Sequence, residues 1–221
     1  MNRLSYILVA ILPLLGSSLF SQNAVKELMS EVRTQKAREG TSGLSYGEIE
    51  GSPYFSDEFI DGKVYLKNGK SGAIPIRYNL YTDQVEFMRD GKVLDLLKDN
   101  VKYIEQGEEV ICQENSTYYF SRESGKFSLY IKKRVSFHDK VSAGAYWEPE
   151  PAKFKRDVDE YYLKEENKPA KEIKNKKALQ EMLGENEAAL DFIKKSKIKA
   201  TKAEDLLELV KFLNAQSQTP E

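Results

Sequence analysis

The sequence predicts an α+β protein: a mainly antiparallel β meander of about eight strands, an open twisted sheet or a small barrel, with an N-terminal helix and a C-terminal helical tail. Three observations predict it. Apolar residues recur with a period of two from about residue 58 to 138. Turn dipeptides divide that stretch roughly every ten residues, too closely for crossover helices. A helical period replaces the period of two on either side.

Residues 1–21 have the parts of a secretory signal peptide. Arg3 supplies the basic start, Leu4 to Leu15 is apolar apart from Ser5, and Gly16-Ser17-Ser18-Leu19-Phe20-Ser21 brings the small residues a signal peptidase selects. The expected cleavage lies between Ser21 and Gln22, where the sequence turns polar; cleavage after Ser18 satisfies the small-residue rule better, with Gly16 and Ser18 at the two selected positions. The apolar run is shorter than the ~20 residues of a spanning helix, and no later stretch is long or apolar enough, so the mature chain is expected to carry no transmembrane segment. Residues 22–45 read as an amphipathic helix and linker, with Val25, Leu28, Met29 and Val32 on one stripe.

The β domain is placed at 46–173, with strands at 58–66, 72–81, 84–89, 92–97, 101–106, 109–113, 117–122 and 126–138. Ile74, Ile76, Tyr78 and Leu80 face one way, and Pro75, Arg77, Asn79 and Tyr81 the other. Pro75 has no N–H for a ladder and belongs at an edge or a bulge. Phe127, Leu129, Ile131, Val135 and Phe137 define the inner face of the last strand, and Lys132, Arg134 and His138 fall on its polar face. Asp90-Gly91 suits a primed hairpin turn. After a connector containing Trp147, residues 154–173 return to β structure, with arms around Tyr161-Tyr162-Leu163 and Lys171-Glu172-Ile173. Helices follow over 174–216, then a disordered tail at 217–221. Their stripes are Leu179, Met182 and Leu183, ended by Gly184; Ala189, Phe192 and Ile193; and Leu206, Leu207, Val210 and Leu213. Thr201 and Glu204 have capping-box spacing ahead of the last stripe.

Composition excludes more than it assigns. With 34 basic and 35 acidic residues the chain is no polycation, and nucleic acid is not expected as a partner. The single cysteine, Cys112, permits no internal disulfide and reads as a small buried apolar residue. The single histidine, His138, reads as a solvated surface residue. One His and one Cys cannot furnish a zinc site, and neither common Gly-rich phosphate loop is present, so no metal, cofactor or catalytic residue is nominated. The carboxylate pairs Asp57-Glu58 and Glu108-Glu109 point to opposite strand faces and cannot flank one bond. The aromatics, 13 Tyr, 10 Phe and one Trp, are the more suggestive class. Exposed Tyr and Trp grip sugars and peptides, and Arg77, Tyr81 and Trp147 are the candidate recognition surface.

The segments Gly51-Ser52-Pro53-Tyr54, Asp57-Glu58-Phe59, Gly62-Lys63-Val64-Tyr65, Ile74-Pro75-Ile76-Arg77-Tyr78-Asn79-Leu80-Tyr81 and Glu86-Phe87 resemble a recurrent set of exported proteins of Bacteroidota-type bacteria. The resemblance continues through Pro151-Ala152-Lys153-Phe154 and Tyr161-Tyr162-Leu163 into the helical tail. It implies export and one fold through most of the mature chain, and implies no activity or site residue.

The expected role is a secreted or periplasmic, non-catalytic binding or structural protein of the cell envelope, with an envelope protein or glycan as partner. Its rivals are a barrel-type carrier of a small apolar ligand and an envelope glycoside or peptide hydrolase. A further rival, a helical-tail adaptor, requires an exposed Leu206/Val210/Leu213 stripe.

Overall fold

A computed structural model describes residues 45–142 and 149–218. The expected cleavage site at Ser21 and Gln22, the N-terminal stripe of Val25, Leu28, Met29 and Val32, and Trp147 lie outside the described residues.

The fold is α+β, built on a ten-stranded antiparallel sheet that is open rather than closed. In chain order the strands are β1 (Ile60–Leu66), β2 (Ser71–Asn79), β3 (Gln84–Arg89), β4 (Lys92–Asp95), β5 (Val101–Gln106), β6 (Glu109–Glu114), β7 (Thr117–Arg122), β8 (Phe127–Lys132), β9 (Val135–His138), β10 (Lys153–Arg156), β11 (Glu160–Glu165) and β12 (Lys171–Glu172). Turn chemistry sets the reversals. Asp90 with Gly91, and Asn115 with Ser116, take positive φ as pairs, the conformation of a type I′ turn whose twist matches the flanking strands.

The order across the sheet is β12-β11-β8-β7-β6-β5-β1-β2-β3-β4, which corrects a strictly sequential meander. Strand β5 returns to pair with β1, so two meanders are joined along one seam. The seam is irregular between Tyr65 and Leu66. Strands β2 and β7 stand four places apart, about 19 Å in a flat sheet. Their rings nonetheless meet: Tyr78 lies 5.6 Å from Tyr118 and 5.8 Å from Phe120, centroid to centroid. The sheet therefore curls until the two meanders pack inner face on inner face. Ile74, Ile76, Tyr78, Phe87, Ile104, Ile111, Tyr118, Phe120, Leu129 and Ile131 are buried between them. Pro75 stands one residue beyond the last β2–β3 pair, Ile76 with Phe87, where no ladder bond is needed from it.

The single strand expected over 126–138 is two. The alternation continues through Lys133 and Arg134, but the pairing does not. Strand β8 stays in the main sheet between β7 and β11, while β9 pairs with β10 in a separate two-stranded sheet.

The helices are α1 (Lys176–Leu183), α2 (Glu187–Lys195) and α3 (Ala203–Gln218). Asn175 and Asn186 cap the first two through their side-chain oxygens, and Gly184 ends α1 at positive φ. Helix α3 starts one residue later than the Thr201 box would place it. The Asp205 carboxylate near its start accepts instead from the Lys199 N–H at 2.8 Å. Leu206, Leu209, Val210 and Leu213 are buried, and α3 packs on β8. The stripe an adaptor would expose is thus part of the core. Among the described residues no helix is long and apolar enough to cross a membrane.

Candidate functional site

The motif residues converge into one structural unit. Pro53 carbonyl oxygen accepts from the N–H groups of Leu80, at 2.8 Å, and Tyr81, at 3.3 Å. The Gly-Ser-Pro-Tyr segment thereby lies across the end of β2. Gly51 sits at φ +80, and a Cβ there would come within 2.6 Å of the Phe154 carbonyl oxygen, which explains a glycine at this position. Tyr46, Tyr81, Phe137 and Phe154 cluster around the junction.

Arg77 and Tyr81, two members of the expected recognition surface, serve this unit. The Arg77 guanidinium stacks 3.6 Å from the Tyr54 ring centroid and 4.5 Å from Phe59. It pairs with Glu86 at 2.7 Å, and Asn79, buried beside it, donates to the same carboxylate at 3.2 Å. Tyr81 packs on Phe137 and Phe154. The two side chains are thus committed to the protein's own contacts rather than set side by side as an open patch.

Lys132 departs from its expected place. Parity puts it on a solvated face, yet its side chain is 2 % exposed. The β7–β8 ladder ends at Phe120 with Ile131, and the Lys132 ammonium enters beyond that point, donating to the Tyr118 carbonyl at 3.0 Å. It also pairs with Asp83 at 2.5 Å, in the β2–β3 turn of the opposite meander. Lys98 reaches the second Asp83 oxygen at 2.8 Å, and the Tyr78 hydroxyl donates to the first. Burial pushes the Asp83 carboxyl up, but the two ammonium groups and the Tyr78 hydroxyl outweigh it and hold it below its ordinary range. Burial in turn pulls Lys132 below its ordinary value against the opposing pull of Asp83. Asp83 and Lys132 line a polar cleft of about 550 Å³ with Arg134, Ser136 and Asp157. The geometry of the cluster is that of a clasp between the two meanders.

The outer face of the sheet carries a different feature. Register aligns Tyr65 with Tyr103, Tyr103 with Cys112, Cys112 with Tyr119, and Tyr130 with Tyr162. A row of half-buried tyrosines therefore crosses β1, β5, β7, β8 and β11, broken only where Cys112 stands on β6. Tyr65 and Tyr103 stack at 4.2 Å, and Tyr119 stacks on Tyr130 at 5.4 Å. Tyr162 meets Tyr119 edge-on at 5.1 Å. At the break the surface dips. Two hollows, of about 670 Å³ and 590 Å³, open on opposite sides of the row and share Tyr103, Cys112 and Tyr130 as walls and floor. Together they make one groove along β6, which at ~3.4 Å per residue runs for about 20 Å.

Its chemistry is non-covalent. Burial raises the hydroxyl pKa values of Tyr103, Tyr119, Tyr130 and Tyr162, so the rings stay neutral phenols. Cys112 is half-buried on the groove floor, which corrects its expected place in the core. Burial pushes its thiol up despite hydrogen bonds with Tyr130 and Ser121, the opposite of an activated thiolate. His138 is exposed at the end of β9, as its polar-face position predicts.

No protein-family model, curated protein or solved structure matches this chain.

The groove was only half visible in the sequence. Alternation places each tyrosine on the outer face, but which tyrosines neighbour one another depends on register and on the β1–β5 seam, a pairing across some forty residues. A tyrosine at outward parity on β5, β7, β8 and β11 was the available signal.

Proposed function

We propose that this is an exported, non-catalytic binding protein of the bacterial cell envelope, and that it receives its ligand in the tyrosine groove of the outer sheet face. The observation that carries this reading is the row from Tyr65 to Tyr162, whose rings are half-exposed on the side of the sheet away from the core. Core packing accounts for Tyr78 and Tyr118 but not for these rings, and aromatic faces beside a groove are a common gripping surface. The export part rests on the three-part leader and on the resemblance to exported Bacteroidota proteins.

The open sheet removes the closed barrel that a carrier of apolar ligands would need. For a hydrolase, the paired-carboxylate mechanism asks for an acid with a raised pKa. Among the described residues, Glu48, Asp83 and Glu150 are instead held below the ordinary carboxylate range by Ser45, by the Asp83 cluster's ammonium groups and by Lys153 respectively.

The test uses mature protein immobilised and exposed to solubilised envelope material. Wild type is expected to retain one ligand stoichiometrically, and Tyr103→Ala with Tyr130→Ala to lose it while keeping the wild-type melting temperature within a few degrees. Equal retention by both proteins refutes the groove. N-terminal sequencing of protein from the native host is expected to begin at Gln22; a chain beginning at Met1 refutes the export reading.

A further inference from the structure

Charge is distributed unequally along the groove. At the end formed by the β5–β6 and β7–β8 turns, Glu105, Glu108 and Glu123 line the hollow against Arg122. Arg122 is itself held by Glu109 at 2.5 Å. Glu105 accepts from the Tyr65 hydroxyl at 2.8 Å, while Glu108 and Glu123 enter no ion pair among the described residues. At the other end Lys102, Lys164 and Lys168 line the second hollow against Glu114. Lys164 pairs with Glu114 at 2.9 Å and Lys168 with Glu165 at 2.8 Å, so Lys102 carries the excess charge there. Between the ends, the Tyr103 and Tyr130 rings stand over Cys112 and Ser121. The groove is acidic at one end, aromatic in the middle and basic at the other.

We infer that its ligand is an extended peptide segment of about six residues with its cationic and anionic side chains segregated to opposite ends. The inference rests on the binding reading of this groove. An extended chain of that size spans about 20 Å, the length of the groove. Strands β6 and β7 are paired on both sides, so the ligand adds no strand to the sheet and is read through its side chains. A neutral glycan would leave both charged ends unused, and a uniformly anionic polymer would meet repulsion at Glu108 and Glu123. Only a ligand of both signs, ordered along its length, complements the whole groove.

Fluorescence anisotropy on the intact mature protein tests this with two dye-labelled hexapeptides of one composition. Lys-Lys-Val-Ser-Asp-Asp has its charges segregated, and Lys-Asp-Val-Ser-Lys-Asp has them interleaved. The segregated peptide is expected to bind at least tenfold more tightly. The preference is expected to vanish in the Glu108→Lys, Glu123→Lys protein, whose substitutions lie in exposed turns. Tyr103→Ala should cut affinity at least tenfold, and Ser121→Trp should do the same by filling the floor, which keeps the test decisive if either variant folds poorly. No binding of the segregated peptide, or equal affinity for both, overturns the inference. Tighter binding of a neutral hexasaccharide, abolished by Tyr103→Ala, overturns the peptide assignment but leaves the groove as a binding site. Peptide and saccharide binding that both ignore Tyr103→Ala, Tyr130→Ala and Ser121→Trp overturns the two readings together.

Discussion

Asp83 collects Lys132, Lys98 and the Tyr78 hydroxyl on one carboxylate, and the value of that arrangement depends on which member is removed. Asp83→Ala leaves the Lys132 ammonium buried without its counter-charge and is expected to cost about 3–5 kcal/mol in urea unfolding. Lys132→Met removes the buried charge itself, leaves Asp83 with Lys98, and is expected to cost far less. The same carboxyl gives a pH dependence with a defined sign. Its folded pKa lies below the unfolded value of ~3.9, so its contribution is complete above that pH and disappears as pH falls through the folded value. The stability gap between wild type and Asp83→Asn should therefore be constant near neutrality, narrow in the acid limb as Asp83 takes up a proton, and narrow again in the alkaline limb as Lys132, whose value burial lowers, gives its proton up. A gap that is widest in either limb contradicts the assignment. None of this was legible from residue 132 alone. Parity fixes which face a side chain starts from, but a lysine stem is long enough to turn inward where a ladder stops.

At the level of elements, α3 is fastened to β8 by a single side chain. Asn214 accepts from the Phe127 N–H at 2.8 Å and donates to the Phe127 carbonyl at 2.9 Å, so a helix side chain takes the place of a ladder partner. Gly125 leaves the room this needs, because a Cβ there would stand 2.8 Å from the Asn214 side chain. Asn214→Leu strands both backbone groups and is expected to destabilise by about 2–4 kcal/mol. Gly125→Ala should cost about 1–3 kcal/mol by crowding the same contact. In the double variant Gly125→Ala, Asn214→Ala the Gly125 cost should largely disappear, and chemical denaturation of the four proteins measures that coupling. Full additivity would place the Gly125 effect elsewhere. The sequence revealed the helix itself through Leu206, Val210 and Leu213, and the strand through Phe127, Leu129 and Ile131. It could not reveal the fastening, since an Asn on a helix and a Gly in a turn have no shared period.

Across the described residues, the two meanders, Ile49 ahead of the Gly-Ser-Pro-Tyr segment and the helical tail share one continuous core. Burying Leu206, Leu209, Val210 and Leu213 stabilises by about 1.5–3 kcal/mol each, together comparable to the net stability of a domain. A chain ending at Lys202 is therefore expected to lose cooperative unfolding and to bind a hydrophobic dye, with calorimetry and dye fluorescence as the measurements. A sharp transition retained in that truncation would mean that the sheet stands alone. The strands themselves were readable because tight turns and alternation are local properties. The β8–β9 split and the open edge were not, because both depend on which distant strand arrives first at a shared edge.

The separation of 87 residues between Phe127 and Asn214 has a temporal consequence. During synthesis β8 emerges long before the residue that completes its first backbone pair, and β1 waits similarly for β5. Native closure is thereby deferred until α3 has been made, so the sheet waits at both seams for partners that arrive late in the order of synthesis.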